Sequence, residues 1–152
     1  MKDKLWTSTT DSCQNHGYHE LSSNEQWVEI TSGNYGESYE NNERCYWAFY
    51  APGAIEIKIE ILYLEVVRSF NLLYEEMSIQ TTVYIFLIFK QNGGDYLNIY
   101  KGIGIYGYYW KHMYGYYHSE THYSGSEFVI FKWYSSSAYT DYGFKLRISR
   151  VG

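Results

Sequence analysis

The stretch "AIEIKIEIL", Ala54 to Leu62, decides the fold class. Ile55, Ile57, Ile59 and Ile61 alternate with Glu56, Lys58 and Glu60, and a period of two puts the isoleucines on one side of an extended chain and the charges on the other. Such a segment is a strand resting on a core with its second face in water. Pro52 and Gly53 supply a turn just before it. Upstream of the turn, "CYWAFYA" (Cys45 to Ala51) sets Tyr46, Ala48 and Tyr50 against Trp47 and Phe49. The two segments lie close enough in sequence to form a hairpin.

The alternation returns further along. "DYLNIY" places Tyr96, Asn98 and Tyr100 opposite Leu97 and Ile99. "EFVIFKWY" (Glu127 to Tyr134) and "GFKLRISR" (Gly143 to Arg150) are two more strands, the second with Phe144, Leu146 and Ile148 inward and Lys145, Arg147 and Ser149 outward. The polar loop "SSSAYTDY" joins them. Short alternating strands separated by turn signals, with no competing amphipathic helix, indicate an all-β antiparallel sandwich or barrel.

The 152 residues suit a single domain. Twenty tyrosines and a single proline agree with a β fold, since tyrosine favours strands and half-wet surfaces. A net charge of -5 with scattered lysines and arginines argues against a nucleic-acid partner. The most apolar run, Val83 to Phe89, ends at Lys90 and is far short of the roughly 20 residues that span a bilayer, so no membrane insertion is expected. The start, "MKDKLWTSTTDS", has no apolar core of a signal peptide. The expectation is a cytosolic chain or one whose recorded start is not the true one. Cys13 and Cys45 are the only cysteines and cannot build a zinc site alone. They are either two buried thiols or one disulfide, and a bridge would contribute roughly 3–4 kcal/mol by loop closure.

Three segments together carry a resemblance: "WVEITSGNYGESYENNERCYWAFYAPGAIEIKIEILYLE", then "GGDYLNIYKG", then "EFVIFKWYSSSAYTDYGFKLRI". In that order they resemble a CUB domain, the extracellular β-sandwich module of complement proteases, astacin-type metalloproteases and receptors. The resemblance implies a jelly-roll sandwich over residues 13–152 after a tail at 1–12. It implies a non-catalytic binding module for protein or glycan, a fragment or part of a larger secreted or receptor protein. The alternatives are an accessory domain of a secreted metalloprotease and a tyrosine-rich structural matrix protein. The resemblance also pairs Cys13 with Cys45 as a disulfide and so implies an oxidising, extracellular location. Two features depart from the family: Gly33 and Gly36 stand where prolines flank the Asn-Tyr turn, and both cysteines of the second family disulfide are absent.

Many members of the family hold calcium in the loops at one end. Carried over by motif, the ligand set would be Tyr39, Glu65, Asp95, Ser136 and Ser137. A further family aspartate falls on Tyr134, and Asp141 in the same loop does not align. Calcium takes six to eight oxygens with substantial carboxylate charge, and this set supplies two acids.

A second candidate surface is "KGIGIYGYYWKHMYGYY", where Tyr106, Tyr108, Tyr109, Trp110, Tyr114, Tyr116 and Tyr117 crowd together. Exposed tyrosine and tryptophan give contact area at little entropic cost, which suits protein or glycan binding. The plainer reading is that alternating tyrosine and glycine build an extra strand pair. The glycines follow a strand but open no helix, so they form no phosphate loop.

His16 and His19, and the pair in "HSETH", His118 and His122, lack metal-protease spacing. A small hydrolase using His112, His118 or His122 is the least favoured alternative. Finally, 30 positions separate Glu65 from Asp95 where the family has a short loop. The surplus, 66–91, is expected to be an atypical insertion that adds a strand or covers an edge, or else a retained intron in the gene model.

Overall fold

The computed structural model describes residues 13–33, 38–66, 94–102, 108–136 and 141–152. The tail at 1–12, positions 67–91 of the expected insertion, Tyr106 and Ser137 lie outside them. Val66, the first residue of that insertion, is the buried last residue of a strand.

Nine strands occur among the described residues: β1 (Gly17–Glu20), β2 (Trp27–Thr31), β3 (Arg44–Tyr50), β4 (Glu56–Val66), β5 (Tyr96–Lys101), β6 (Tyr108–Met113), β7 (Gly115–Tyr123), β8 (Phe128–Tyr134) and β9 (Gly143–Val151). They form two sheets, a five-stranded one in the order β1-β3-β8-β5-β6 and a four-stranded one in the order β2-β9-β4-β7. Every pairing is antiparallel except β1 with β3. Among the described residues no helix is long and apolar enough to cross a membrane.

The inner faces follow the alternation of the sequence. Trp47, Phe49, Leu97, Ile99, Phe131 and Trp133 come from one sheet, and Ile57, Ile59, Ile61, Phe144, Leu146 and Ile148 from the other. Phe144 packs edge-on between Trp47 and Trp133, with centroids at 5.8 and 5.1 Å. Both indole N–H groups keep a partner inside the core, as buried tryptophan requires. Trp47 donates to the Gln14 carbonyl at 2.8 Å and Trp133 to Glu43 Oε1 at 2.7 Å.

Two expectations need correction. The segments on either side of Pro52 and Gly53 do not form a hairpin. β3 pairs with β1 and β8, whereas β4 pairs with β9 and β7. The turn carries the chain from one sheet to the other, so that Trp47 and Phe49 face the isoleucines across the core instead of lying beside them. Ile55 is not a core residue, because β4 begins at Glu56 and Ile55 remains 74% exposed. Beyond the alternating stretch, the register of β4 shifts between Ile61 and Tyr63. This bulge changes the parity of the strand, turning Leu64 and Val66 inward and Glu65 outward.

The disulfide joins Cys13 to Cys45 with Cα atoms 6.5 Å apart. Beside it lies Glu43, 1% exposed. Its Oε1 accepts from Gly33 N at 2.9 Å and from Trp133 Nε1, and its Oε2 accepts from Glu40 N at 2.9 Å. Ser135 Oγ accepts from Glu43 N at 2.7 Å and donates to the Glu40 carbonyl at 2.6 Å. The carboxylate thus holds the end of β2, the approach to β3 and the end of β8 together. Gly143 completes this end. At φ +90° a Cβ there would lie 1.9 Å from Ser32 Oγ, so only glycine lets β9 close on β2.

Replacing Glu43 by glutamine turns an amide N–H₂ toward at least one backbone or indole N–H and leaves it without an acceptor. Glu43→Gln should lower stability by about 1–3 kcal/mol in urea unfolding. An unchanged midpoint would show that the carboxylate does not hold this end together.

Candidate functional sites: the loop end and the outer sheet face

At the loop end, the structure brings together three of the carried-over residues. Tyr39 Oη donates to Asp95 Oδ2 at 2.5 Å, and Ser136 N donates to Asp95 Oδ1 at 2.6 Å. The Tyr39 ring packs edge-on against Trp133, 5.0 Å away. Asp95 is 3% exposed, so both of its oxygens are committed inside the protein. Glu65 meets a different partner, His118 Nε2 at 3.2 Å, on the outer side of the four-stranded sheet. A shallow groove there is lined by Leu62, Tyr63, Glu65, His118 and Tyr142.

The position matched to the further family aspartate is occupied otherwise. The Tyr134 ring lies under the Arg44 guanidinium at 3.6 Å and stacks on Tyr96 at 5.1 Å. Asp141, the other acid of that loop, accepts from Tyr116 Oη at 3.2 Å and from Tyr142 N at 2.8 Å. Its charge and that hydrogen bond hold the Tyr116 phenol above its ordinary pKa. The carboxylates here are engaged with separate partners, and calcium needs several of them converging with further oxygens. Among the described residues, three potential ligand side chains converge only at Cys13, Glu43 and Cys45. The disulfide removes both thiols from that set. Among the described residues, the carried-over donors do not converge in the way a resident calcium ion needs.

The described part of the tyrosine-rich stretch forms two strands that pair with others and not with each other, one in each sheet. Tyr108, Tyr109 and Trp110 lie in β6 of the five-stranded sheet, and Tyr116 and Tyr117 in β7 of the four-stranded one. Trp110 and Tyr117 pack against the core. Lys101 and Lys111 flank the Trp110 ring at 4.6 and 4.9 Å. The described residues of the expected surface are thus divided between two sheets.

A different aromatic set does share a face, the outer side of the five-stranded sheet. Register aligns Arg44, Tyr134 and Tyr96 in one row, and Tyr46, Lys132, Asn98 and His112 in the next. The Tyr96 ring lies 5.0 Å from His112, and His112 lies 5.4 Å from Tyr114. One row further, Tyr100 meets Tyr109 at 5.7 Å, and Lys132 Nζ sits 5.0 Å over the Tyr100 ring. Tyr46, Tyr96 and Tyr100 are tyrosines that the sequence showed alternating, and Tyr134 ends a strand it also showed, but nothing in it placed them side by side.

Charge separates the two sheets. β3, β5, β6 and β8 contain Arg44, Lys101, Lys111 and Lys132 and no acid at all. Of the acids adjoining those strands, Glu43 and Asp95 are buried, Glu127 accepts from Gly53 N, and exposed Glu20 lies on β1, the remaining strand of that sheet, opposite Tyr50 of β3. The four-stranded sheet mixes Glu29, Glu56, Glu60, Glu65 and Glu120 with Lys58, Lys145, Arg147 and Arg150. There Glu29 pairs with Lys145 at 3.2 Å and Arg147 at 3.1 Å. Burial works to raise its pKa, but the hydrogen bonds and charges of Arg147 and Lys145 outweigh it and hold the carboxyl below its ordinary value.

His112, His118 and His122, the trio of the hydrolase alternative, are not brought together. His112 is on β6 with its Nδ1 2.6 Å from Asn98 Oδ1. His118 and His122 are on β7, facing Glu65 and Glu120 respectively. His19 stacks on Phe49 at 5.1 Å.

The family model for the CUB domain matches residues 13–148, and the chain belongs to the CUB domain family. CUB domains are extracellular binding modules, and the Cys13–Cys45 disulfide suits an oxidising compartment. Among solved structures, the full extracellular region of zebrafish Gpr126/Adgrg6 is similar at 16% identity and TM-score 0.61, over 89% of this chain and 15% of that one. The CUB1-EGF-CUB2 domain of human MASP-1/3 is similar at 14% identity and TM-score 0.60, over 96% of this chain and 50% of that one. The MASP-1 CUB2 domain bound to Ca2+ is similar at 14% identity and TM-score 0.59, over 86% of this chain and 96% of that one. At such identities the likeness shows the fold. The chain spans half or less of the first two of these proteins. No curated protein matches the sequence.

Burial lowers the pKa of His112 from its ordinary value. The shift favours the neutral imidazole, whose Nδ1–H tautomer donates to the Asn98 amide oxygen. Below the unfolded value of about 6.5 the unfolded chain binds more protons than the native one, so stability falls with pH there. Burial also lowers His122, with Lys111 adding to the effect and Glu120 opposing it. Between pH 7.5 and 5 the midpoint of urea unfolding should fall. His112→Gln should flatten that dependence without abolishing it, and an identical slope would show that His112 does not titrate into instability.

Proposed function

We propose that this domain is the recognition module of a larger secreted or receptor protein, and that it engages an extracellular partner, protein or glycan, with the outer face of its five-stranded sheet. The observation that carries this reading is the segregation of charge. On a chain with net charge -5, four adjacent strands of one sheet, β3, β8, β5 and β6, hold cations and tyrosines and no acid, with Glu20 at the end of β1 the one acid in that sheet's strands, while the other sheet neutralises its charges internally. A surface of one sign, lined with aromatic rings, steers and holds a complementary partner. A matrix protein that self-associates through 106–117 is less well supported, because the described part of that stretch is divided between two sheets. An accessory domain of a secreted metalloprotease would use the same face.

A photoactivatable residue at exposed Tyr109 should crosslink to the extracellular partner, whereas one at exposed Tyr123, on β7, should not. Equal capture from both positions would overturn the assignment of the face.

We further propose that the loop end works without resident calcium. Asp95 is held by Tyr39 and Ser136, Glu65 by His118, and Tyr134 stands where a third acid would be needed. The melting temperature should therefore be the same in millimolar calcium and in excess EDTA. A calcium-dependent rise of several degrees would refute this.

A further inference from the structure

We propose that the partner of the five-stranded sheet is a polyanionic glycan, a sulfated or uronate-bearing chain lying across β3, β8, β5 and β6. This rests on the assignment of that face as the recognition surface and specifies its ligand. The argument begins with how the rings are set. Tyr134 is stacked between the Arg44 guanidinium and Tyr96, with an angle of 23° between the two phenol planes. Their faces are therefore occupied by one another, and what they turn outward is edges and hydroxyls. Ring edges carry the positive end of the quadrupole, and a phenol O–H donates. Burial, then the neighbouring Tyr134, raises the Tyr96 pKa, so the proton stays available for donation.

The cations reinforce that sign. Exposed Lys132 sits diagonally from Arg44, since Arg44 is opposite Tyr134 and Lys132 is two residues along the same strand. Diagonal positions are about 7–8 Å apart, which suits two anionic groups on a chain better than one small ion. Asn98, in the same row as Lys132, adds an amide for hydroxyls. The surface is a plane of donors and positive charge, with no acid on its four strands to oppose a polyanion.

An acidic peptide fits less well. Peptides bind sheets by adding a strand to an edge or by seating side chains in a groove. β3, β8 and β5 are interior strands whose backbone groups are already paired, and Arg44, Tyr134 and Tyr96 are stacked on one another across them rather than set apart around an anchoring side chain.

The test uses the intact, oxidised chain and fluorescently labelled heparin and hyaluronan oligosaccharides, which separate sulfate from carboxylate, with poly-glutamate as the peptide arm. Binding to at least one glycan is expected, with affinity falling steeply as salt rises. Lys132→Glu should weaken it by about tenfold, and Tyr134→Phe, which keeps the stack and removes one donor, should weaken it less. Lys58→Glu on the four-stranded sheet should leave it unchanged. Unaltered melting of each variant shows that the fold is retained, and Lys132→Ala serves if the charge reversal unfolds the domain. No glycan binding, an equal loss in Lys58→Glu, or tighter binding of poly-glutamate than of either glycan would each overturn the proposal. In the last case a Lys132-dependent interaction would leave the recognition face standing, and crosslinking at Tyr109 reports on that face independently.

Discussion

A single buried carboxylate holds the loop end of this sandwich. Moving the charge of Glu43 out of water is costly unless it is met by hydrogen bonds. Here N–H groups from Gly33, Glu40 and Trp133 meet it. Each donor comes from a different piece of chain, so satisfying one charge fixes three segments at once. Cys13 Sγ lies 3.8 Å from the same oxygen. A half-cystine carries no hydrogen to donate, so this is a packing contact that places the disulfide against the carboxylate. Tyr39, Asp95 and Ser136 take their positions on that framework, because Tyr39 packs on the Trp133 ring that Glu43 anchors.

The two sheets solve the problem of an outer face in opposite ways. On the four-stranded sheet, charges of both signs alternate and neutralise one another, with Arg147 also lying 4.4 Å from the Trp27 ring. Such pairs are wet and worth little in stability, but they leave a surface of no dominant sign. On the five-stranded sheet the outward positions carry rings, amides and cations. Ala48, Phe128 and Ile130 form a small second apolar cluster there with Tyr50 and Tyr100 packed against it. This sheet is buried on one side by the main core and half-dry on the other.

Much of the fold was legible because strand alternation is a local property. The inward sets of β4, β5 and β9 follow from a period of two, and the order of the family motifs gave the sandwich and the disulfide. The hairpin across Pro52 and Gly53 was misjudged for a corresponding reason: a turn in sequence is the same turn whether the chain pairs back or crosses to the other sheet. The candidate site was less legible. Tyr106 to Tyr117 is conspicuous because it is dense in sequence, yet a sheet juxtaposes residues from distant strands, and β6 and β7 belong to different sheets. Tyr46, Tyr96 and Tyr134 are spread over nearly ninety positions and share one face.

What the sequence by itself determined is which side of most strands is apolar and which family the chain resembles, and that resemblance implied the bridge between the two cysteines. The first depends on the spacing of residues along the chain, the second on the order of its motifs. The tertiary structure decided which strands are neighbours. Pairing register set Tyr134 between Arg44 and Tyr96, gave Glu65 to His118 rather than to Asp95, and set four acid-free strands side by side in one sheet. Hydrogen bonding between strands is indifferent to separation in sequence, so the charge and chemistry of a face exist only once the sheet has formed.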